Sequence, residues 1–377
     1  MKNKLSDLLT CGLFCGFLGA MLVLFLVLPK DSFSQREKRV LNEAPDTSLE
    51  AVLSGKFGTQ AESYIADHIP GRDFFVGLAS YYDLLSGRQV TKDIYLAAGD
   101  RLVEKPNKEN DAAAQKNMRA INGFAQTIGK SVDLMLVPSA GYAVADSVIG
   151  LHGAYTDDEI IESIYALAGE NVRPFDLTAV FDGYSDPGAL YYRTDHHWTA
   201  LGAYTAYSAY MEALGRAYPA QNEFTVESHD GFYGSTHSRA GLWLVKPEPV
   251  ELWDGGKNLT VTSHANVNDI TGTAHEGVFY RENLEALDKY TVYLGGNQPL
   301  VRIHNPEGEG KLLVIRDSYA NCLGTFLANT YQEVVLVDLR YWKTPVSELV
   351  AAEGFDDVLV CYSLYNFLTD ANFPWLK

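Results

Sequence analysis

The period of hydrophobic and polar positions changes several times along this chain. From Leu8 to Leu28 the run LLTCGLFCGFLGAMLVLFLVL carries no charge over 21 positions. That is long enough for a helix to cross a hydrocarbon layer of roughly 30 Å. Residues 30 to about 60 are polar and aperiodic, as a stalk would be. Between Gln60 and Leu85 the apolar points Tyr64, Ile65, Ile69, Phe74, Phe75 and Leu78 have helical spacing, interrupted at Pro70-Gly71. Residues 30–106 therefore read as a stalk with a small helical region.

From Asn107 the pattern alternates between helices and short apolar runs. It predicts a helix from about Asp111 to Ile128 and a strand at Val132–Val137 that Pro138 ends. A capping box at Thr156-Asp157-Asp158-Glu159 should open a helix to about Leu167, followed by a short strand at Val172–Leu177. A further helix runs from Thr199 to Leu214 and stops at Gly215. Residues 216–285 show no usable period and are too long for a structureless loop, so an insertion or small sheet near the site is expected. Four apolar runs follow, at Tyr290–Leu294, Leu312–Ile315, Val334–Leu339 and Val358–Tyr362, with a helix over Tyr319–Asn329 and a weaker one over Val346–Glu353. Continuous apolar strands alternating with helices predict an α/β domain over 107–377, a mainly parallel sheet with helices on both faces. Ligands of such sheets bind beyond the carboxyl ends of the strands.

Charge narrows the partners. The 377 residues carry a formal net charge of −18 and no run of Lys and Arg, which excludes nucleic acid as an expected partner. Lys2 and Lys4 precede the apolar run, so the positive-inside rule makes residues 1–29 a cytoplasmic tip and transmembrane signal anchor, with the rest of the chain outside. A cleaved signal peptide is the alternative, but the run exceeds a typical apolar region of that kind and no small-x-small site follows it. Cys11 and Cys15 lie inside the run, which leaves Cys322 and Cys361 for the remainder and excludes a disulfide scaffold.

Two segments carry candidate chemistry. Arg316-Asp317-Ser318-Tyr319 joins a strand to a helix, where a serine would stand at the sheet edge beside free N–H groups and a positive helix end. The plainer role for Ser318 is a helix N-cap. In Asp195-His196-His197-Trp198 an extended backbone would project Asp195 and His197 to one side, so that the carboxylate orients the imidazole, and His196 to the other. A capped polar turn and a metal site are the rivals; diverging adjacent histidines and the absence of helical ligand spacing speak against metal. Cys322, one helical turn past Ser318, reads as a small buried residue, and His229 and His237 fit surface or turn positions as well as a cleft.

Together these segments resemble the DHHW family, relatives of the alginate O-acetyltransferases in the SGNH-hydrolase-like superfamily. FSQREKRVLNEAP, YYRTDHHWTALGAY, FYGSTHSRAGL, YLGGNQP, VIRDSYAN and VVLVDLRYW look like family blocks in their usual order. The resemblance implies Ser318 as nucleophile, His197 as general base and Asp195 as its orienting group. Arg316 departs from the glycine of the superfamily's Gly-Asp-Ser, and no Gly-x-Asn-Asp segment supplies an oxyanion asparagine. Tyr319, Arg340, Asn366 and Trp198 are the candidates for oxyanion or substrate contacts, with an Asp338 ion pair as the alternative for Arg340; Asn297 in Gly295-Gly296-Asn297 reads as a turn residue. The expected function is a membrane-anchored, extracytoplasmic serine O-acyltransferase or acetylesterase acting on a cell-surface glycan. It would need no cofactor and no metal, and a membrane O-acyltransferase would serve as acyl donor. A catalytically silent glycan-binding or scaffolding protein is the alternative.

Overall fold

The computed structural model describes residues 2–34, 39–88, 90–266, 268–269 and 271–377. Gln35–Lys38, part of the stalk and of the FSQREKRVLNEAP block, lie outside the described residues. The chain forms two compact units, Met1–Arg88 with Ser238–Leu244, and Gln89–His237 with Val245–Lys377. Residues 30–106 are thus shared between the two.

In the first unit α1 (Lys2–Val27) is long and apolar enough to cross a membrane, and none of Lys4–Val27 is buried, which fits a membrane anchor or a signal sequence. A two-residue ladder, β1 (Phe33–Ser34) with β2 (Arg39–Val40), follows. Then come α2 (Leu49–Leu53), capped by Ser48, α3 (Lys56–His68) and α4 (Arg72–Leu85). The breaks before α3 and α4 fall at Gly55 (φ 78°) and Gly71 (φ 70°), left-handed positions that suit glycine. Gly77 on α4 lies against Trp243, whose ring would be 2.0 Å from a Cβ there.

The second unit opens with a small antiparallel sheet of β3 (Val90–Thr91), β4 (Ile94–Ala97) and β5 (Arg101–Glu104). Next come α5 (Asp111–Ile128), β6 (Val132–Val137), a short α6 (Ala140–Ala143), α7 (Asp157–Tyr165), β7 (Val172–Phe175), α8 (Leu177–Asp182) and α9 (Ala200–Leu214). The hairpin β8 (Thr225–Phe232) and β9 (Glu248–Asp254) brackets α10 (Ser235–Ala240). The remainder is β10 (Thr260–His264), β11 (Thr273–Glu276), β12 (Leu300–His304), β13 (Lys311–Arg316), α11 (Tyr319–Leu327), β14 (Glu333–Val337), α12 (Val346–Glu353), β15 (Asp357–Ser363) and α13 (Leu364–Thr369).

The main sheet has the order β11-β10-β12-β14-β13-β15-β6-β7. Its β14-to-β7 half is parallel, and β12, β10 and β11 join antiparallel to their neighbours. Strand residues alternate between two apolar layers. Leu312 and Val314 face one, with α9 and α11; Leu313 and Ile315 face the other, with α5 and α12. This is the expected α/β architecture with helices on both faces.

Local departures have physical causes. The insertion forms the expected small sheet, the two-stranded β8–β9, and in addition lends β10 and β11 to the main sheet. Tyr290–Leu294 is not a strand, because Lys289–Val292 winds into a 3-10 turn. The Thr156 capping box does not form; Asp157 instead accepts from the Ser139 N–H (2.6 Å) and the Asn107 amide (3.2 Å). Thr199 does cap α9, accepting from Gly202 N–H at 3.2 Å and donating to Ala189 at 3.0 Å. Thr199→Ala should cost about 1 kcal/mol, seen as a thermal midpoint lower by about 2–4 °C.

Candidate active site

Ser318 lies two residues past the end of β13, after Asp317, at the carboxyl edge of the parallel half-sheet and between the ends of β14 and β15. It makes no side-chain cap on α11. The turn is held by Asp317, a fully buried carboxylate that accepts from the Tyr319 N–H (3.0 Å), the Ser363 N–H and hydroxyl (2.8 Å each) and the Asn366 amide (2.8 Å).

The histidine arrives on a loop that enters and leaves as a hairpin. Tyr191 bridges to Trp198, and Tyr192 N–H donates to the His197 carbonyl at 3.1 Å. Glu248, at the start of β9, braces this loop by accepting from Arg193 N–H (2.8 Å), Thr194 N–H (2.7 Å) and the Thr194 hydroxyl (2.6 Å). The segment is bent rather than extended, which changes one expectation and leaves another intact. Asp195 still reaches His197, taking the ring at Nδ1 (2.5 Å) and the backbone N–H (2.9 Å) on one oxygen, while its other oxygen accepts from Ser235 N–H at 2.6 Å. His196, however, does not diverge: its ring centroid lies 3.9 Å from that of His197, and its Nδ1 lies 2.5 Å from Ser235 Oγ.

On its other nitrogen His197 meets Ser318, with Nε2 2.7 Å from Oγ. A carboxylate at Nδ1 can only accept, so the neutral ring carries its proton there and presents Nε2 as the acceptor for the serine hydroxyl. Tyr290 stacks on this imidazole at 3.9 Å and 10°, a contact made available by the 3-10 turn that replaces the predicted strand. Burial alone would push the Asp195 carboxyl up, but the His196 and His197 imidazoles, the ring hydrogen bond and Ser235 hold it well below the usual range.

The four sequence candidates for oxyanion or substrate contact have their donors engaged elsewhere. Tyr319 gives its N–H to Asp317 and its hydroxyl to the His196 carbonyl. Asn366 donates to Asp317, and Arg340 forms a two-pronged pair with Asp338 (2.9 and 2.6 Å). Trp198 is fully buried and donates to the Tyr319 carbonyl at 3.0 Å, a packing role. The Ser318 N–H, by contrast, donates to no described residue.

Asn297 is the residue that its sequence context hides. Its Oδ1 faces Arg316 Nη1 and Asn321 Nδ2, both at 3.1 Å. A guanidinium has no acceptor, so the atom facing it is the oxygen, and Nδ2 points away with no partner among the described residues. Arg316 and Asn321 flank Ser318 two residues before and three after, so this amide sits beside the nucleophile's turn. The loop reaches it through consecutive left-handed residues Leu294, Gly295 and Gly296 (φ 57°, 70° and 84°). Cys322 is buried, which raises its thiol far above ordinary values and leaves it unreactive. His229 lies beside Glu227 at 3.6 Å on the β8 hairpin strand.

Ligand atoms of Asp195, His196 and His197 lie within 4.8 Å of one another. Asp195 and His197 already spend theirs on each other, Ser235 and Ser318, so a cation would have to replace those bonds.

The fold and this arrangement define an α/β protein that carries a carboxylate–imidazole–hydroxyl chain at the carboxyl edge of its parallel strands. The chain belongs to the DHHW family, described as DHHW protein, whose sequence model matches residues 112–337. A DHHW family protein from Eubacterium siraeum shares the fold with a TM-score of 0.64 and 21% identity, over 76% of this chain and 96% of that one. Bacillus cereus PatB1, solved with a sulfonyl adduct, gives 0.62 and 23%, over 75% and 98%. A curated Pseudomonas putida protein named "Probable alginate O-acetylase AlgJ" is 25% identical over 180 residues, 45% of this chain. The match spans 46% of that relative, less than half its length.

Gly234 leaves no room for a side chain: a Cβ would lie 2.2 Å from Asp195 Cβ. Gly234→Ala should cost about 1–3 kcal/mol in thermal or denaturant unfolding, whereas Gly58→Ala, with open space around it, should not destabilise. A carboxyl depressed by folding adds stability above its ordinary 3.8, and the contribution is lost as pH falls toward its lowered folded value. Between about pH 6 and about pH 3 the thermal midpoint should therefore fall more steeply for the native chain than for Asp195→Asn.

Proposed function

We propose that this protein is a membrane-anchored, extracytoplasmic O-acyltransferase that moves an acetyl group onto hydroxyls of a cell-surface polysaccharide. The observation that carries the proposal is the unbroken hydrogen-bond chain from Asp195 through His197 to Ser318. Acetyl and polysaccharide as the groups handled are supported by the name of the Pseudomonas relative, a probable alginate O-acetylase. Anchoring is supported by α1, with Lys2 and Lys4 at its cytoplasmic end.

In this reading Ser318 Oγ attacks the acetyl carbonyl carbon of an ester donor as its proton passes to His197 Nε2, and Asp195 stabilises the imidazolium. The Ser318 N–H and Asn297 Nδ2 receive the oxyanion. The donor's alkoxide oxygen leaves with the proton from His197, giving acetyl-Ser318. An acceptor sugar hydroxyl then loses its proton to His197 and attacks the acetyl carbon, and Ser318 Oγ departs with that proton. Water in place of the sugar gives acetate, so transfer and hydrolysis share one intermediate. A membrane O-acyltransferase partner is the proposed source of the acetyl group.

Full-length protein in detergent micelles is to be assayed with 4-nitrophenyl acetate, with and without an acetyl-free alginate oligosaccharide. Ser318→Ala, His197→Ala and Asp195→Asn should each lose on the order of 10⁴-fold in ester turnover. Asn297→Ala should lose about 10²–10³-fold in kcat; Asn297→Asp, which keeps the acceptor facing Arg316 and removes the Nδ2 donor, separates this loss from the cost of orphaning the guanidinium. If the native chain and all triad variants turn over ester at one background rate, the enzymatic reading is wrong and a binding role replaces it. Mass spectrometry of the oligosaccharide separates transfer from hydrolysis.

A further inference from the structure

Apolar side chains exposed in the first unit follow a pattern that its own core does not explain. On α4 one stripe, Gly77 and Ser80, is buried, and Trp243 packs on this helix against Phe74 and Tyr81. The neighbouring stripe, Phe75, Leu78, Tyr82 and Leu85, has spacing i, i+3, i+7 and i+10 and is exposed, Tyr82 by 68% and Leu85 by 87%. On α2, Leu49 and Leu53 add an exposed pair one turn apart. A soluble surface scatters such residues singly; a periodic face of them marks a partner.

The same unit shows which partner fits. The last turns of α1 touch α3, where the Phe25 ring meets Tyr64 edge-on at 6.1 Å. The His68 ring, at the end of α3, lies 3.1 Å from the carbonyl of Asp31, just after the apolar run ends. From His68 the chain turns through Pro70-Gly71 directly into α4. A bilayer that holds α1 up to Leu28 therefore has its headgroup layer at the level of this corner, and the exposed stripe begins there. Phenylalanine, leucine and tyrosine are the residues that settle at that depth.

We propose that α4, with the exposed edge of α2, lies in the lipid headgroup interface as an in-plane helix, its stripe of Phe75, Leu78, Tyr82 and Leu85 inserted among the acyl-chain ends. The proposal rests on α1 spanning the bilayer. The stripe carries no basic residue and the chain is strongly acidic, so insertion is driven by apolar burial and requires no anionic lipid.

The test uses the full chain with Cys11 and Cys15 replaced by serine, reconstituted in phosphatidylcholine vesicles. A nitrobenzoxadiazole label is placed at Leu18→Cys, Leu78→Cys or Leu85→Cys; Cys322 and Cys361 are fully buried. Labels at 78 and 85 should emit to the blue of the free label in buffer and be quenched by doxyl-lipid. This should hold unchanged as the lipid-to-protein ratio is raised tenfold and with or without phosphatidylglycerol. Phe75→Glu with Leu78→Glu should return a label at 85 to aqueous emission. If the label at 18 is shielded while those at 78 and 85 emit as in water, the interfacial helix is refuted and the anchor stands. Aqueous emission at 18 refutes the anchor itself. Shielding at 78 that disappears on dilution into more lipid identifies contact between copies and overturns the lipid assignment.

Discussion

A buried carboxylate organises the nucleophile's surroundings. Asp317 has no solvent exposure, and an isolated charge there would be prohibitively costly. It is tolerated because donors from its own turn and from the start of α13 converge on it. Satisfying that charge ties the end of β13 to the end of β15. Ser318 is consequently held at the sheet edge by its neighbour's side chain rather than by capping its own helix.

The facing half of the site is built on the same logic, with constraint supplied from a distance. Glu248 fixes the loop at Thr194, Ser235 fixes the far oxygen of Asp195, and the absent side chain of Gly234 lets the two strands of chain approach. Tyr290 then flattens against the imidazole, leaving His197 little freedom beyond the plane in which it joins Asp195 to Ser318. Side chains locked in this way lose little entropy on reaching a reactive geometry. Arg316 belongs to the scheme: its buried guanidinium grips the loop that presents Asn297.

What could be read from the sequence divides along the range of the forces involved. Strands β6, β13, β14 and β15 are legible because both of their faces are buried, so the residues are apolar without interruption. Asp195, His197 and Ser318 stand out because their chemistry is compact in sequence. Strands β10, β11 and β12 do not, since Thr, Ser, His and Arg alternate along an exposed side of the sheet. Tyr290–Leu294 misleads because a buried 3-10 turn has the same composition as a strand. Asn297 carries only the mark of a turn, and Gly234 and Glu248 carry none of their own. Their importance lies in contacts with Arg316, Asp195 and Thr194, respectively 19, 39 and 54 residues away.

The position of β13 has a bearing on the order in which the molecule comes into being. Its two neighbours in the sheet, β14 and β15, both lie later in the chain, and the groups that steady Asp317 come from Ser363 and Asn366. His197, meanwhile, precedes Ser318 by 121 residues. A chain emerging from its N-terminus carries every member of the hydrogen-bonded set well before it has the strand that aligns them. The arrangement therefore comes together only after β15 and Asn366 have appeared, and a chain that stops short of them has no aligned serine to expose.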